Sequence, residues 1–326
     1  MARNQSIAGF LRDQLHYPAS DALARLDRLA GEKIARTEFL SDLDAARGAL
    51  KPWMPLFYLP VASTSVSVGL HLRPSDVESR RLAFIAAEAP GQFIETALSV
   101  DQLVYLGLLG TEGYGNSGKM PPSFPDAVAK ANEIFGAGFY QAGRHGNFQS
   151  GDEPRVMIEA FGGTPEALRN QAVLADDPAE KLKYWERGIA LGTESLALYA
   201  GAARIHLELG HRREAAECVA RSLACYHHTA YEIDLNEYFE TAGPLQHEFP
   251  QLFNEDAAWQ LQEPDPRRWA RRAAELYAAG QVARADKLLN DLCHGTGNYM
   301  SVLGAFRKHY QALGWDWALA LCDLRS

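Results

Sequence analysis

Two different periods of apolar residues run along this chain, and the change from one to the other divides it. Spacings of three and four over Asp21–Ala30, and again over Thr37–Leu50, predict two amphipathic helices. Pro52, Pro55 and Pro60 then stop helix formation, because proline lacks the amide donor and clashes with the preceding turn. Between them Leu56–Leu59 is a short apolar strand candidate. Ser65–Leu72 reads SVSVGLHL, with Val66, Val68, Leu70 and Leu72 on one face. That is the period-two signature of a half-buried strand. Arg73–Asp76 predicts a turn, and Leu82–Ala87 (LAFIAA) a third strand. After Pro90-Gly91, Phe93–Leu109 reads as an amphipathic helix. Three short strands with no helix between them predict an antiparallel meander rather than a doubly wound sheet.

Residues Gly110–Glu153 break both periods. Nine glycines and Pro121, Pro122 and Pro125 fall there, and only Asp126–Phe135 reads as a helix. The stretch is a domain boundary or a set of functional loops. From Thr164 the pattern is helical and it repeats. Two helices that cross closely need small residues at the crossing, and Ala203, Gly210 and Ala215 have that spacing, with Tyr199 before them and Leu223 after. The same grid fits Trp269, Ala273, Gly280, Ala285 and Leu289. The glycines lie 70 residues apart, two periods of 35. One period upstream, Asp176 takes the turn position, and Trp185, Gly188 and Ile189 fall in the second helix. These residues resemble the tetratricopeptide-repeat family over roughly Thr164–Leu292. The resemblance implies stacked helix pairs with a concave peptide-binding face. A last pair, Tyr299–Leu313 and Trp315–Leu324, would cap the array.

The segment from Pro55 to Leu109 is similar to the later part of SUKH domains. Those present a small antiparallel sheet ending in a helix of the form A-x-S-x-x-x-x-L, here Ala97-Leu98-Ser99-Val100-Asp101-Gln102-Leu103. The Leu-Pro-x-x-Tyr helix and Asn-Gly turn usual before that sheet have no counterpart. The resemblance implies a non-enzymatic binder, commonly a bacterial immunity protein that neutralises a toxin.

Charge sharpens the picture. The chain of 326 residues has 32 Lys and Arg against 41 Asp and Glu, a formal net charge of -9. From Ser222 to Asp265 there is no Lys or Arg, and nine acids stand there: Glu232, Asp234, Glu237, Glu240, Glu248, Glu255, Asp256, Glu263 and Asp265. Elsewhere acids and bases balance. An acidic chain without a basic block repels phosphate backbones, so nucleic acid is not an expected partner. No apolar run reaches the roughly 20 residues of a membrane span, and the first residues do not read as a signal peptide. Cys218, Cys225, Cys293 and Cys322 form no CxxC pair and read as reduced, mostly buried thiols of a cytoplasmic protein.

The chemical motifs are thin. Gly113-Tyr-Gly-Asn-Ser-Gly118-Lys119 fits GxxxxGK, but a helix precedes it, Met120 replaces the hydroxyl residue, and Pro121-Pro122 block a following helix. It reads as a flexible glycine loop. Cys225 with His227-His228, and Cys293 with His294, are too close in sequence to chelate from a helix. His145, in Arg144-His145-Gly146, is the most enzyme-like residue, though no carboxylate is fixed near it by spacing. No nucleophile motif, metal site or cofactor is expected.

The acidic segment is the strongest functional candidate. Its carboxylates are interleaved with Tyr238, Trp259 and other aromatics, a mixture that steers and then grips a basic partner. The plainer reading makes the aromatics core and the acids a solvated face. Arg268 and Arg272 flank Trp269 beside it; they pair with those acids or clamp a peptide carboxylate. The expectation is an α+β fold: residues 1–160 as a small antiparallel sheet with helices, SUKH-like, and 161–326 as an all-α tetratricopeptide-like array. The expected function is non-enzymatic protein binding, for an immunity protein against a basic toxin, through Glu232, Asp234, Glu237, Tyr238, Glu240, Trp259, Arg268 and Arg272. An adaptor holding a peptide, or an enzyme built on the glycine loops of 110–151, are the alternatives. The oligomeric state stays open.

Overall fold

A computed structural model describes residues 5–17, 21–51, 54–55, 58–64, 66–72, 84–89, 92–116, 118–146, 148–149, 151–192, 195–230, 232–262, 266–296 and 303–325. Helices α1 (Ile7–Asp13) and α2 (Asp21–Leu29) precede strands β1 (Lys33–Ile34) and β2 (Thr37–Phe39). Helix α3 (Leu43–Ala49) leads to β3 (Tyr58–Ser63), β4 (Ser67–His71), β5 (Phe84–Ala89) and β6 (Gln92–Ala97). The strands form one antiparallel meander in chain order, β1 to β6. The α+β class therefore holds, with a sheet of six strands rather than three.

Two expected helices begin later than their periodicity implies, and capping is the reason. The Asp42 side chain accepts the amide of Ala45 at 2.9 Å and starts α3, so Thr37–Phe39 is free to join the sheet. Likewise Phe93–Leu109 is not one helix. The Gln102 amide oxygen accepts from Leu98 N at 2.8 Å, and Ser99 Oγ from Gln102 N at 3.2 Å. This capping-box arrangement starts α4 (Val100–Asn116) at Val100 and leaves Gln92–Ala97 as an edge strand. The apolar run Phe84-Ile85-Ala86-Ala87 is buried on both faces. Phe84 and Ala86 point into the main core, with Leu70 and Ile94; Ile85 and Ala87 point to a second cluster with Met54, Tyr58 and Phe93. A strand covered on both sides reads as continuous apolar sequence. Residues 56, 57, 65 and 82–83 of the strand candidates, and the turn at 73–76, lie outside the described residues.

The glycine-rich stretch is more regular than its composition. Helix α4 runs through Gly110, Gly113 and Gly115 to Asn116. The first half of the GxxxxGK string is thus helix interior, not a phosphate loop. A Cβ on Gly115 would lie 2.5 Å from Met120 Sδ, so the glycine admits that side chain. Next come α5 (Phe124–Phe135) and α6 (Glu153–Phe161), the latter not read from the sequence. It ends at Gly162, in the left-handed region.

From Pro165 helical hairpins follow: α7 (Pro165–Leu174) with α8 (Pro178–Ala190), and α9 (Leu196–Glu208) with α10 (Arg212–Ser222). Then come α11 (Leu235–Glu248) with α12 (Glu255–Gln262), α13 (Pro266–Ala278) with α14 (Val282–Thr296), and α15 (Leu303–Leu313) with α16 (Asp316–Arg325). Helices α9, α13 and α15 end in the same way. Gly210, Gly280 and Gly314 have φ of +78°, +73° and +66°. The amide after each glycine reaches back five residues: His211 to His206 at 2.7 Å, Gln281 to Leu276 at 2.8 Å, and Trp315 to Tyr310 at 3.0 Å. Only glycine takes that conformation without steric cost, so these positions set the turns. The acidic hairpin breaks the period. Position 245, midway between Gly210 and Gly280, is Leu245 inside α11, and the turn comes after Glu248.

The two halves touch. The Arg325 guanidinium donates to the carbonyls of Met54 (3.0 Å), Pro55 and Tyr58 (3.5 Å). Leu276, Phe306 and Leu324 share a continuous core with Leu11, Phe39 and Phe84. Within it Asp286 of α14 is fully buried. The Tyr277 and Tyr310 hydroxyls both donate to its Oδ1, the latter at 3.3 Å, while Oδ2 has no partner among the described residues.

Burial pushes the Asp286 carboxyl up to about 7, against the pull of the two tyrosine hydrogen bonds. The unfolded value is near 4, about that of free aspartate. Between those values the folded chain holds a proton that the unfolded chain has lost. This group's contribution is therefore complete below about pH 4 and lost as pH rises through 7. Urea unfolding of the native chain is expected to show a decline of a few kcal/mol from this group across that window. Asp286→Asn, which keeps an acceptor for the tyrosines, should lose the decline and match or exceed the native chain at pH 8. A stability difference between the two proteins that does not change with pH refutes this account.

Candidate acidic groove

The first helices of three successive hairpins line a groove of about 380 Å³. Helix α7 contributes Arg169 and Val173, four apart. Helix α9 contributes Ala197, Ala200, Gly201 and Arg204, and the start of α11 contributes Asp234, Glu237, Tyr238 and Thr241. The last two sets have the same spacing of three, four and seven, so each helix presents one face. Between Ala197 and Gly201 the floor carries only small side chains, and Arg204 stands one turn further along α9. Beneath Gly201 lies the ring of Trp185 from α8; a Cβ on that glycine would stand 2.6 Å from Cε2 and Cζ2. Trp185 is 4% exposed and its indole N–H has no hydrogen-bond partner among the described residues.

The walls are charged. Glu232 closes one rim through an ion pair to Arg169, whose side chain is 11% exposed. It does so from the left-handed region, with φ of +57°, uncommon for a residue with a Cβ. Asp234 accepts from the Glu237 amide at 3.3 Å and so caps α11. The Glu237 carboxylate is exposed and makes no ion pair among the described residues. Tyr238 is held by its hydroxyl against Ser222 Oγ, and burial pushes that phenol's pKa up. Past the Arg169–Glu232 pair a second cleft, about 660 Å³, shares Arg169, Val173 and Glu232. Val173 and Leu174, at 55% and 67% exposed, stand at that junction as large apolar side chains open to solvent.

Four of the eight residues singled out in the sequence, Glu232, Asp234, Glu237 and Tyr238, meet in the groove. The others do not. Glu240 is exposed on another face of α11. Trp259 packs against Trp269 at 5.8 Å between α12 and α13, as part of the core. Arg272 pairs with Glu255 at 2.6 Å, and Arg268 is exposed at the start of α13. The acidic segment is thus not one face. Arg212 takes Glu248, holding its carboxyl below the usual range, and Arg284 takes Asp256. Glu263 and Asp265 lie outside the described residues. Distance in sequence hid this pairing. The groove's other half, Arg169, Val173 and the α9 stripe, was missed for want of a chemical signature; small residues at three, four and seven are its only trace.

The glycine loop is tied down by a different set. Both Glu112 oxygens are used, Oε2 by the Tyr140 hydroxyl at 2.5 Å and Oε1 by Gly143 N at 2.6 Å. His145 Nε2 lies 2.7 Å from the Tyr105 hydroxyl. Asn132 both donates to and accepts from the Tyr140 backbone. These bonds hold residues 136–146 on α4 and α5, and neither cleft described above reaches them. Burial pushes the Cys218 thiol up to about 11 and the Cys322 thiol up to about 12, away from reactive thiolate. No group of three or more His, Cys, Asp or Glu among the described residues could hold a metal ion. Nor is any helix among them long and apolar enough to cross a membrane.

No protein-family model, curated protein or solved structure matches this chain. The groove's own geometry therefore has to carry the functional argument.

That geometry depends on Gly201. Gly201→Ala forces the rigid Trp185 ring to move, at an expected cost of about 1–3 kcal/mol. Urea unfolding read by tryptophan fluorescence checks it. A variant as stable as the native chain, with an unshifted emission spectrum, would show that the ring does not support the floor.

Proposed function

We propose that this chain is a non-enzymatic protein-binding module that holds a basic polypeptide segment in the acidic groove. The observation that carries the reading is the placement of Glu237. An exposed carboxylate without an ion pair among the described residues stands beside Asp234 over a floor of Ala197, Ala200 and Gly201. The small residues of that floor let an extended backbone approach, and the carboxylates of Glu232, Asp234 and Glu237 outnumber the lining cations Arg169 and Arg204 and favour Lys or Arg on that segment. The neighbouring cleft, with exposed Val173 and Leu174, offers apolar contact to the same segment. A toxin whose basic surface must be covered is a partner of this chemistry.

The enzyme alternative has less support. Glu112, Tyr140, Tyr105 and His145 are committed to one another, and their bonds account for the shape of the loop.

Glu237 and Glu240 make a matched pair for testing, since both are exposed on α11 and only the first faces the groove. A fluorescein-labelled Lys/Arg-rich peptide is expected to bind, and an acidic peptide of equal length not to. Glu237→Lys should weaken binding about tenfold or more at low salt, and Glu240→Lys by less than about twofold. Equal effects of the two reversals, or a preference for the acidic peptide, would remove the groove as the site.

A further inference from the structure

A second cleft, of about 420 Å³, lies across the acidic hairpin from the groove. It is bounded by the end of α10, by α12, and by the α13–α14 hairpin. Its volume falls in the ~300–1,000 Å³ range of small-molecule sites. Leu223, Leu276 and Leu288 give it an apolar wall.

Its polar lining sets three cations, Arg221, Arg284 and Lys287, and the amides of Asn254 and Gln260 against one carboxylate, Asp256, and the hydroxyls of Tyr199 and Tyr226. Lys287 of α14 donates to Asp291 Oδ2 at 2.5 Å and to Gln260 Oε1 at 3.4 Å. Asp291 is buried and also accepts from His227 N at 2.8 Å. An ammonium only donates, so its contact fixes the orientation of the Gln260 amide: oxygen to the lysine, nitrogen the other way. Gln260 is 5% exposed, and that nitrogen has no partner among the described residues. That N–H₂ reaches the solvent of the cleft and can donate to a bound group. Arg221, exposed at the end of α10, makes no ion pair among the described residues and lines the same cleft. Asn254 adds its amide, its oxygen being used to cap α12 through Ala257 N at 2.8 Å.

The charges come out positive. Arg284 is neutralised by Asp256 and Lys287 by Asp291, which leaves Arg221 unbalanced. Both carboxylates are already occupied. In a chain of net charge -9, a cleft with spare donors and a spare cation is the opposite of the average surface.

We infer that this cleft binds a small organic anion, an oxyanion carried on an apolar body. Arg221 and the Gln260 amide hold the oxyanion, and the leucine wall holds the body. The site is separate from the groove and does not depend on the groove's function.

Phenyl phosphate is the probe, titrated by calorimetry against the full chain. Saturable binding of one molecule is expected, weaker at higher salt, while phenol and inorganic phosphate each bind less well. Arg221→Gln should weaken phenyl phosphate about tenfold or more. This side chain is exposed, so folding is not at risk. Gln260→Leu should weaken it as well, and Glu237→Lys should leave it unchanged. The inference is overturned by an absence of saturable binding up to about 10 mM, near the floor of measurable affinity. Equal affinity in Arg221→Gln, or equal binding of phenol, overturns it too.

Discussion

Close approach of helices around α9 is the constraint on which the C-terminal half depends. This helix is buried nearly all round: Leu196, Ala197, Leu198, Ala200, Ala202, Ala203 and Ile205 are each 5% exposed or less. A helix apolar on most faces, with Arg204 and Glu208 at its exposed edge, sits inside an array. Its small residues determine how near α8 and α10 come. Ala203 meets Ala215 and Ala216 of α10 in one cluster, and Gly201 meets Trp185 of α8. Larger residues would push the neighbours out, because packed interiors transmit a volume change rather than absorb it. The groove is a by-product of the same economy. Where α9 faces α7 and α11 without bulk, a channel remains.

Electrostatics then distribute over this frame. The acidic hairpin draws its counter-charges from elements far away in sequence: Arg169 of α7, Arg212 of α10, Arg272 of α13 and Arg284 of α14. Exposed pairs of this kind contribute little stability each. Their larger effect is on what remains. Once Glu232, Glu248, Glu255 and Asp256 are paired, Glu237 and Glu240 of α11 are left without an ion pair among the described residues, and only one face of α11 lines the groove.

Much of the fold was legible because it rests on local rules. The strand alternation of Val68 and Leu70, the turn glycines at 210 and 280, and the small residues Ala203 and Ala215 each announce their own geometry. The errors came where a short polar signal outranked a long apolar one. Ser99 with Gln102, and Asp42 with Ala45, each move a helix start by several residues. Glycine-rich sequence between Gly110 and Gly115 reads as loop, yet α4 runs through it, and Gly115 is needed there to admit the Met120 side chain. The candidate site was half legible. Its acids stood out as a run without bases, but which acids stay unpaired depends on tertiary contacts, and no local pattern carries that information. Trp259 shows the limit: an aromatic among acids looks like a binding residue, yet its partner is Trp269.

The acidic hairpin separates two surfaces of opposite character. On one side Asp234 and Glu237 face the α9 floor. On the other, Asn254 and Gln260 face Arg221 and Lys287. The two are lined by different residues, and physiological salt screens exposed charges beyond ~8–10 Å. Each surface therefore presents its own field, and the sum of -9 describes neither. A segment first notable for containing no cations is the wall between an acidic groove and a cationic cleft. That arrangement arises because α10 and α14 place Arg221, Arg284 and Lys287 against one flank of the hairpin. The sign of a ligand for this chain has to be read cleft by cleft.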